Sequence, residues 1–170
     1  MLLMRHASAG ERLESAVEDR ARKLDRVGRA DARALPAALA AHTIDRIVSS
    51  PHARCLETVA RLARSRGFEV ESRDELAPDA PREDILTLLA ELSQSALVCT
   101  HREVFERLFR GEVRCEKGGT WIAERKARGR IPVAVAYLPP LSSAVPLASA
   151  ASPAAAGRRR APVRARRSRL

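Results

Sequence analysis

A chain of 170 residues is long enough to bury a sizeable core as one domain, and no stretch approaches the ~18 apolar residues of a membrane span. Its 45% hydrophobic content is dominated by alanine with only 3% aromatics, so the expected core is aliphatic and the expected helices are alanine-rich. The net charge of +10 is unevenly spread: from Pro139 onward there are seven arginines and no acid, which leaves residues 1–138 with 24 basic against 21 acidic side chains. Three cysteines (Cys55, Cys99, Cys115) without a CxxC spacing exclude a disulfide framework and a zinc ribbon, and a reducing cytoplasm is the expected compartment.

In chain order, Leu2-Leu3-Met4 is an apolar run that ends in Arg5-His6-Ala7, the pattern of a buried strand that delivers functional groups at its carboxyl end. Residues 9–24 are polar and predict a surface loop with at most a short helical turn. Asp25 suits an N-cap for a helix of about four turns carried by Val27, Ala30, Ala34, Leu35, Ala38 and Leu39, with Pro36 expected to kink or split it. Arg46-Ile47-Val48-Ser49-Ser50-Pro51 repeats the strand-then-polar pattern and opens a helix whose apolar stripe runs from Leu56 to Ala63 and stops at Gly67.

Phe68 to Glu71 alternates like a strand, Leu76 to Pro81 is a proline-punctuated loop, and Ile85, Leu88, Leu89 and Leu92 mark an amphipathic helix. Ala96 to Thr100 reads as a strand buried on both faces that runs into His101, followed by a short helix over Val104, Leu108 and Phe109. Thr120 to Glu124 and Ile131 to Leu138 form a predicted hairpin around a basic turn containing Gly129, with Trp121 as its anchor. The predicted architecture is therefore a three-layer α/β/α sandwich around a mostly parallel sheet with a C-terminal hairpin. Residues 139–170, rich in Pro, Ala, Ser and Arg, are expected to be a disordered basic tail.

A parallel sheet brings three strand ends to one edge, with Arg5 and His6, then Ser49-Ser50-Pro51-His52-Ala53-Arg54 at a helix start, then His101. Two histidines, two arginines and a helix N-terminus suit a dianion, and a phosphoryl group above all. His42 and His52 are read as surface residues.

With Arg-His-Ala near the N-terminus, Ser-Ser-Pro-x-x-Arg-Cys-x-x-Thr over residues 49–58, and an apolar strand ending Cys-Thr-His, the chain resembles the histidine phosphatase superfamily (phosphoglycerate-mutase-like), in its short SixA-type branch. Asp19-Arg20 through Leu24 and Gly28, and Lys117-Gly118-Gly119-Thr120-Trp121, agree with it over about residues 1–140. The resemblance implies that His6 is the nucleophile, and that Arg5, Arg54 and His101 hold the nonbridging oxygens without a metal or other cofactor. It departs where the family places a proton donor: Leu76 is followed by Ala77-Pro78, leaving Glu75 one step early and Asp79 one step late. Ser8 and Arg102, the latter where a glycine commonly follows the second histidine, are candidate substrate contacts.

The implied activity is hydrolysis of phosphohistidine or a small phosphomonoester by a monomer. The alternative from another class is a catalytically idle phosphoryl-binding module, or one that associates with nucleic acid through its tail. Against the latter, the tail carries no aromatic residue for base stacking.

Overall fold

The computed structural model describes residues 1–125 and 132–143. Six strands form one sheet: β1 (Leu2–Arg5), β2 (Arg46–Ser49), β3 (Val70–Ser72), β4 (Ala96–Thr100), β5 (Thr120–Arg125) and β6 (Pro132–Leu138). Their order is β3-β2-β4-β1-β5-β6. The first four are mutually parallel, while β5 is antiparallel to β1 and to β6. The helices are α1 (Ala16–Ala21), α2 (Arg26–Ala38), α3 (Ala53–Arg66), α4 (Arg82–Glu91) and α5 (Arg102–Phe109). Among the described residues, no helix is long and apolar enough to cross a membrane.

The two-residue alternation along the central strands divides the core into two layers. Leu3, Val48 and Val98 face Leu76, Ile85, Leu88, Leu89, Val104 and Phe105, so α4 and α5 cover that side. Leu2, Met4, Ile47, Leu97 and Cys99 face Leu35, Cys55, Val59 and Leu62, which places α2 and α3 on the other. Both faces being covered is why β4 is buried at every position and reads as a continuous apolar run.

The expected elements are present, with differences that have local causes. Pro36 does not split α2, because it falls in the last turn and the helix stops two residues later. A proline there forgoes one intrahelical bond near an end that is closing anyway. Within residues 9–24, α1 is capped by Ser15, whose hydroxyl accepts from the Glu18 amide. Pro51 lies before the N-cap of α3, a position taken by His52, and Gly67 closes that helix at φ 71°.

Trp121 stacks at a tilt on Tyr137 at 4.9 Å and donates its indole N–H to the Arg114 carbonyl. The first residues assigned to the tail pack on the domain: Pro140 is buried, and Ser142 donates to the Asp31 carboxylate at 3.1 Å. The basic hairpin turn and the arginine-bearing part of the tail lie outside the described residues.

The loop that leaves β1 is fixed by α2. Asp25 caps α2 through the Gly28 amide and also accepts from the Ser8 hydroxyl at 2.6 Å and the Gly10 amide. The Ser8 hydroxyl, with these backbone donors, pulls the Asp25 carboxyl down to about 2. Gly28 packs so closely that an added Cβ would stand 2.0 Å from the Ser8 carbonyl oxygen. Gly28→Ala is therefore expected to destabilise the protein by about 2 kcal/mol or more in urea denaturation, because overpacking against backbone exceeds the ~1 kcal/mol gained in helix propensity. A Gly28→Ala variant as stable as the parent would show that this contact yields freely.

Candidate active site

Parallel pairing sets the strand ends side by side: Arg5 lies opposite Thr100, and the His6 amide donates to the Thr100 carbonyl at 2.9 Å. Likewise the Ser50 amide donates to the Cys99 carbonyl, so β1, β2 and β4 finish at one level. There His6 and His101 approach edge to face, with ring centroids 5.3 Å apart. Arg5, His6, Arg54 and His101 line one cleft of about 510 Å³, together with Arg12, Asp19, Arg22, Pro78, Arg102, Glu103 and Lys117 among others.

The His6 ring is fixed from both sides. Its Nδ1 stands 2.8 Å from the carbonyl oxygen of Ala7, an acceptor, so Nδ1 carries the hydrogen and Nε2 keeps its lone pair. Toward that lone pair points the Arg54 Nε–H, at 3.3 Å. Burial, with Arg54 and Arg5 nearby, pushes the His6 pKa down to about 3, although the bond to Ala7 opposes this. The imidazole is consequently neutral at neutral pH with an available electron pair. The following turn is held by the Ala7 amide donating to the Thr58 hydroxyl, which itself donates to the Arg54 carbonyl.

Arg54 is the hub of the cleft. Its guanidinium donates to the Asp19 carbonyl at 2.6 Å, lies 3.2 Å from the Asp19 carboxylate, and reaches His101 Nδ1 at 3.2 Å. Asp19 is buried and also accepts from Arg22 Nε at 2.8 Å and the Leu13 amide. Those donors hold its carboxyl below the usual range against the opposing effect of burial. Arg5 donates through one terminal nitrogen to the Cys115 carbonyl, and its Nε is the buried side-chain nitrogen without a partner among the described residues. A donor left unpaired in the same cleft as His6 is a group available to an anionic ligand.

Of the residues expected at the site, Arg5, His6, Arg54, His101 and Arg102 share this cleft; Arg102 is largely exposed and pairs with Glu106 at 3.4 Å. Ser8 does not line it, because its hydroxyl is engaged by Asp25. Glu75 is held by Arg73 at 2.7 Å and lies with Asp79 in a neighbouring depression. Pro78 forms the cleft wall nearest to them.

His52, read as a surface residue, is in fact buried, 8% exposed, with its ring 4.7 Å from that of His101. Asp19, unremarked as a site residue, stood within the Asp19-Arg20 segment that carries the family likeness, and His52 stood at an unspecified position of the likeness over residues 49–58. Among the described residues no group of three or more His, Cys, Asp and Glu side chains is arranged to hold a metal ion.

Comparison with known proteins bears on the family and the fold. Residues 1–78 match the histidine phosphatase superfamily, branch 1. An 8-oxo-(d)GTP phosphatase of Mycolicibacterium smegmatis is 30% identical over 138 residues, covering 72% of this chain and 43% of that protein. The chain thus spans less than half the length of that relative. The solved SixA structure from Agrobacterium tumefaciens superposes with a TM-score of 0.65 at 22% identity, covering 82% of this chain and 96% of the other. A SixA protein histidine phosphatase in complex with tungstate gives 0.63 at 20% identity over the same shares.

His6, His52 and His101 are all held below the ordinary histidine pKa, in each case chiefly by burial. Unfolding returns them to ~6.5, so below that pH the unfolded chain binds more protons than the folded one. Stability is expected to be complete above about pH 6.5 and to fall as the pH drops toward 4, by up to ~1.4 kcal/mol per pH unit for each histidine still neutral in the fold. Urea midpoints at pH 7, 6 and 5 measure this; an unchanged midpoint would mean that the rings are solvated.

Proposed function

Because the chain belongs to the histidine phosphatase superfamily, we propose that it is a phosphatase that transfers a phosphoryl group to His6 and then to water. The observation that carries this reading is the His6 ring: Nδ1 faces a carbonyl, Nε2 carries a lone pair, and cationic groups surround the place where phosphorus would sit. In the first step the Nε2 lone pair forms the N–P bond, and the bond from phosphorus to the leaving group breaks with its electron pair on that group, which takes up a proton. In the second step water attacks the phosphohistidine, the N–P bond returns its pair to Nε2, and inorganic phosphate departs.

Each protein group has a distinct part in this. Arg5 Nε and the Arg54 guanidinium, both charged, offer donors to the nonbridging oxygens, and charge-assisted bonds of this kind are the strong ones. His101, its Nδ1 turned toward Arg54, takes up a proton beside a bound dianion and becomes a third cation. Together they supply the positive charge that the transition state needs, so turnover is expected without an added metal ion.

The substrate class is a phosphohistidine protein or a small phosphorylated molecule. The name of the M. smegmatis relative agrees with the second and that of the tungstate-bound SixA with the first. Glu75 and Asp79, the proposed proton donors, lie outside the cleft, and this favours leaving groups that protonate readily, as the nitrogen of a phosphoramidate does.

Turnover of p-nitrophenyl phosphate and of a phosphohistidine peptide, with chelator present, tests the proposal. His6→Ala is expected to lose at least 10³-fold in kcat/KM, and Arg54→Ala about 10²-fold or more. Rapid quenching with a labelled substrate should trap phosphate on the parent and not on His6→Ala. Equal turnover by parent and His6→Ala would remove His6 from the mechanism, and loss of activity in chelator would do the same for metal independence.

A further inference from the structure

His52 is buried beside the cleft without lining it, and its side chain makes no cap bond to α3 although it occupies the N-cap. Instead a chain of contacts runs from it to the second histidine of the site. Its Nδ1 is 3.2 Å from Ser50 Oγ, and Ser50 Oγ is 2.8 Å from His101 Nε2. The far nitrogen of that ring, Nδ1, is 3.2 Å from an Arg54 terminal nitrogen.

The direction of every proton in this chain follows from one fact: a guanidinium can only donate. Arg54 therefore requires an acceptor at His101 Nδ1, and the neutral His101 ring must carry its hydrogen on Nε2. That hydrogen is donated to Ser50 Oγ, with Cys55 Sγ a second neighbour at 3.5 Å. The Ser50 oxygen, which also accepts from the His52 amide at 3.4 Å, turns its own hydrogen to the remaining acceptor, His52 Nδ1. His52 then bears its hydrogen on Nε2, and the residue lines a neighbouring depression with Arg12, Arg20 and Asp79. Burial, with Arg54 and Arg20 next in order, holds His52 down to about 4, so it remains an acceptor throughout the neutral range.

We propose that His52 is a positioning residue of this phosphatase, which acts through Ser50 to hold the Nε2–H of His101 and so supports the charged form of His101 that grips the phosphoryl group through Nδ1. The inference rests on the phosphatase reading. A phosphate oxygen that accepts from both the Arg54 terminal nitrogen and His101 Nδ1 replaces the direct bond between those two nitrogens and calls for a hydrogen on Nδ1, which makes His101 an imidazolium with two donors to satisfy. One goes to the phosphate and the other to Ser50, whose oxygen can accept because its own hydrogen has somewhere to go.

Burial disfavours charge on His101 most, and the groups that face it, His6 from the end of β1, Arg54 from α3, His52 from the N-cap of α3 and Arg22 from the segment after α1, act in the same sense when charged, while Cys55 Sγ lies 3.5 Å from Nε2. His52, itself held down by burial to about 4, adds no such charge in the neutral range. A buried imidazolium among these cations depends on its second acceptor. Asp19 and Asp79 act on His52 in the opposite sense to Arg54 and Arg20.

The test follows the His101 ring nitrogens by ¹⁵N NMR in protein saturated with inorganic phosphate, across pH, in the parent, His52→Leu, His52→Asn and Ser50→Ala. The His101 titration midpoint is expected to fall by about one pH unit in His52→Leu and in Ser50→Ala, with phosphate binding about 10-fold weaker at pH 7. His52→Asn, whose Oδ1 can stand where Nδ1 stood, is expected to restore most of both. The basic limb of the kcat/KM profile should move to lower pH with the same ranking.

Equal midpoints in the parent and in the folded variants would overturn the proposal, and so would an equal fall in His52→Leu and His52→Asn, which would assign the effect to ring packing. Should His52→Leu not fold, Ser50→Ala and His52→Asn decide between the same outcomes. Parent protein that binds no phosphate would overturn the phosphatase reading and this one together, whereas binding with equal midpoints overturns this one only.

Discussion

The geometry of the cleft depends on one side chain whose hydrogen bonding has no freedom. The Arg54 guanidinium has only donors, and three of its nitrogens are directed at His6, His101 and Asp19. From that constraint follow the lone pair on His6 Nε2, the lone pair on His101 Nδ1, and the placing of Asp19 as the buried counter-charge. A lysine could hold the charge but could not impose this geometry, because its ammonium has no planar fork. Asp19 in turn ties Arg54 to Arg22, so the short α1 segment, polar and exposed over most of its length, still contributes one buried carboxylate to the site.

The sheet makes this possible by bringing the ends of β1, β2 and β4 to one level, and it can do so because the strands are buried on both faces. Apolar side chains alternate between the layer under α4 and α5 and the layer under α2 and α3. The register of each strand is thereby fixed, since a slip by one residue would exchange the two layers. At the carboxyl ends the alternation stops and charged or hydroxylic residues take over. Desolvation by the same packing keeps the histidines neutral, so the core that stabilises the fold also sets the charge state of the cleft.

Some of the site was legible before any coordinates and some was not. Arg5, His6, Arg54 and His101 stand at the ends of apolar runs or at a helix start, positions marked by abrupt changes of polarity along the chain. His52 stood inside the Ser-Ser-Pro-x-x-Arg stretch but at one of its unspecified positions, and its partner Ser50 matters only through His101, 51 residues away. Glu75 was a reasonable candidate by spacing, yet Arg73, two residues before it, holds its carboxylate away from the cleft. Ser8 was equally plausible until Asp25 claimed its hydroxyl as part of the α2 cap. Pro36 shows the limit of a residue rule, since its cost depends on how much helix follows it, and only two residues do.

By itself, then, the sequence determined the alternating α/β plan, the two-sided burial of the central strands and the polar residues at their ends, because these are periodic or local properties of a chain. Which nitrogen of each histidine holds a hydrogen, which carboxylate serves Arg54, and which polar side chains are turned from the cleft were decided by the tertiary structure alone. Those outcomes are set by distances between residues far apart in the chain, where a donor facing a donor is forbidden and a buried polar atom must find a partner.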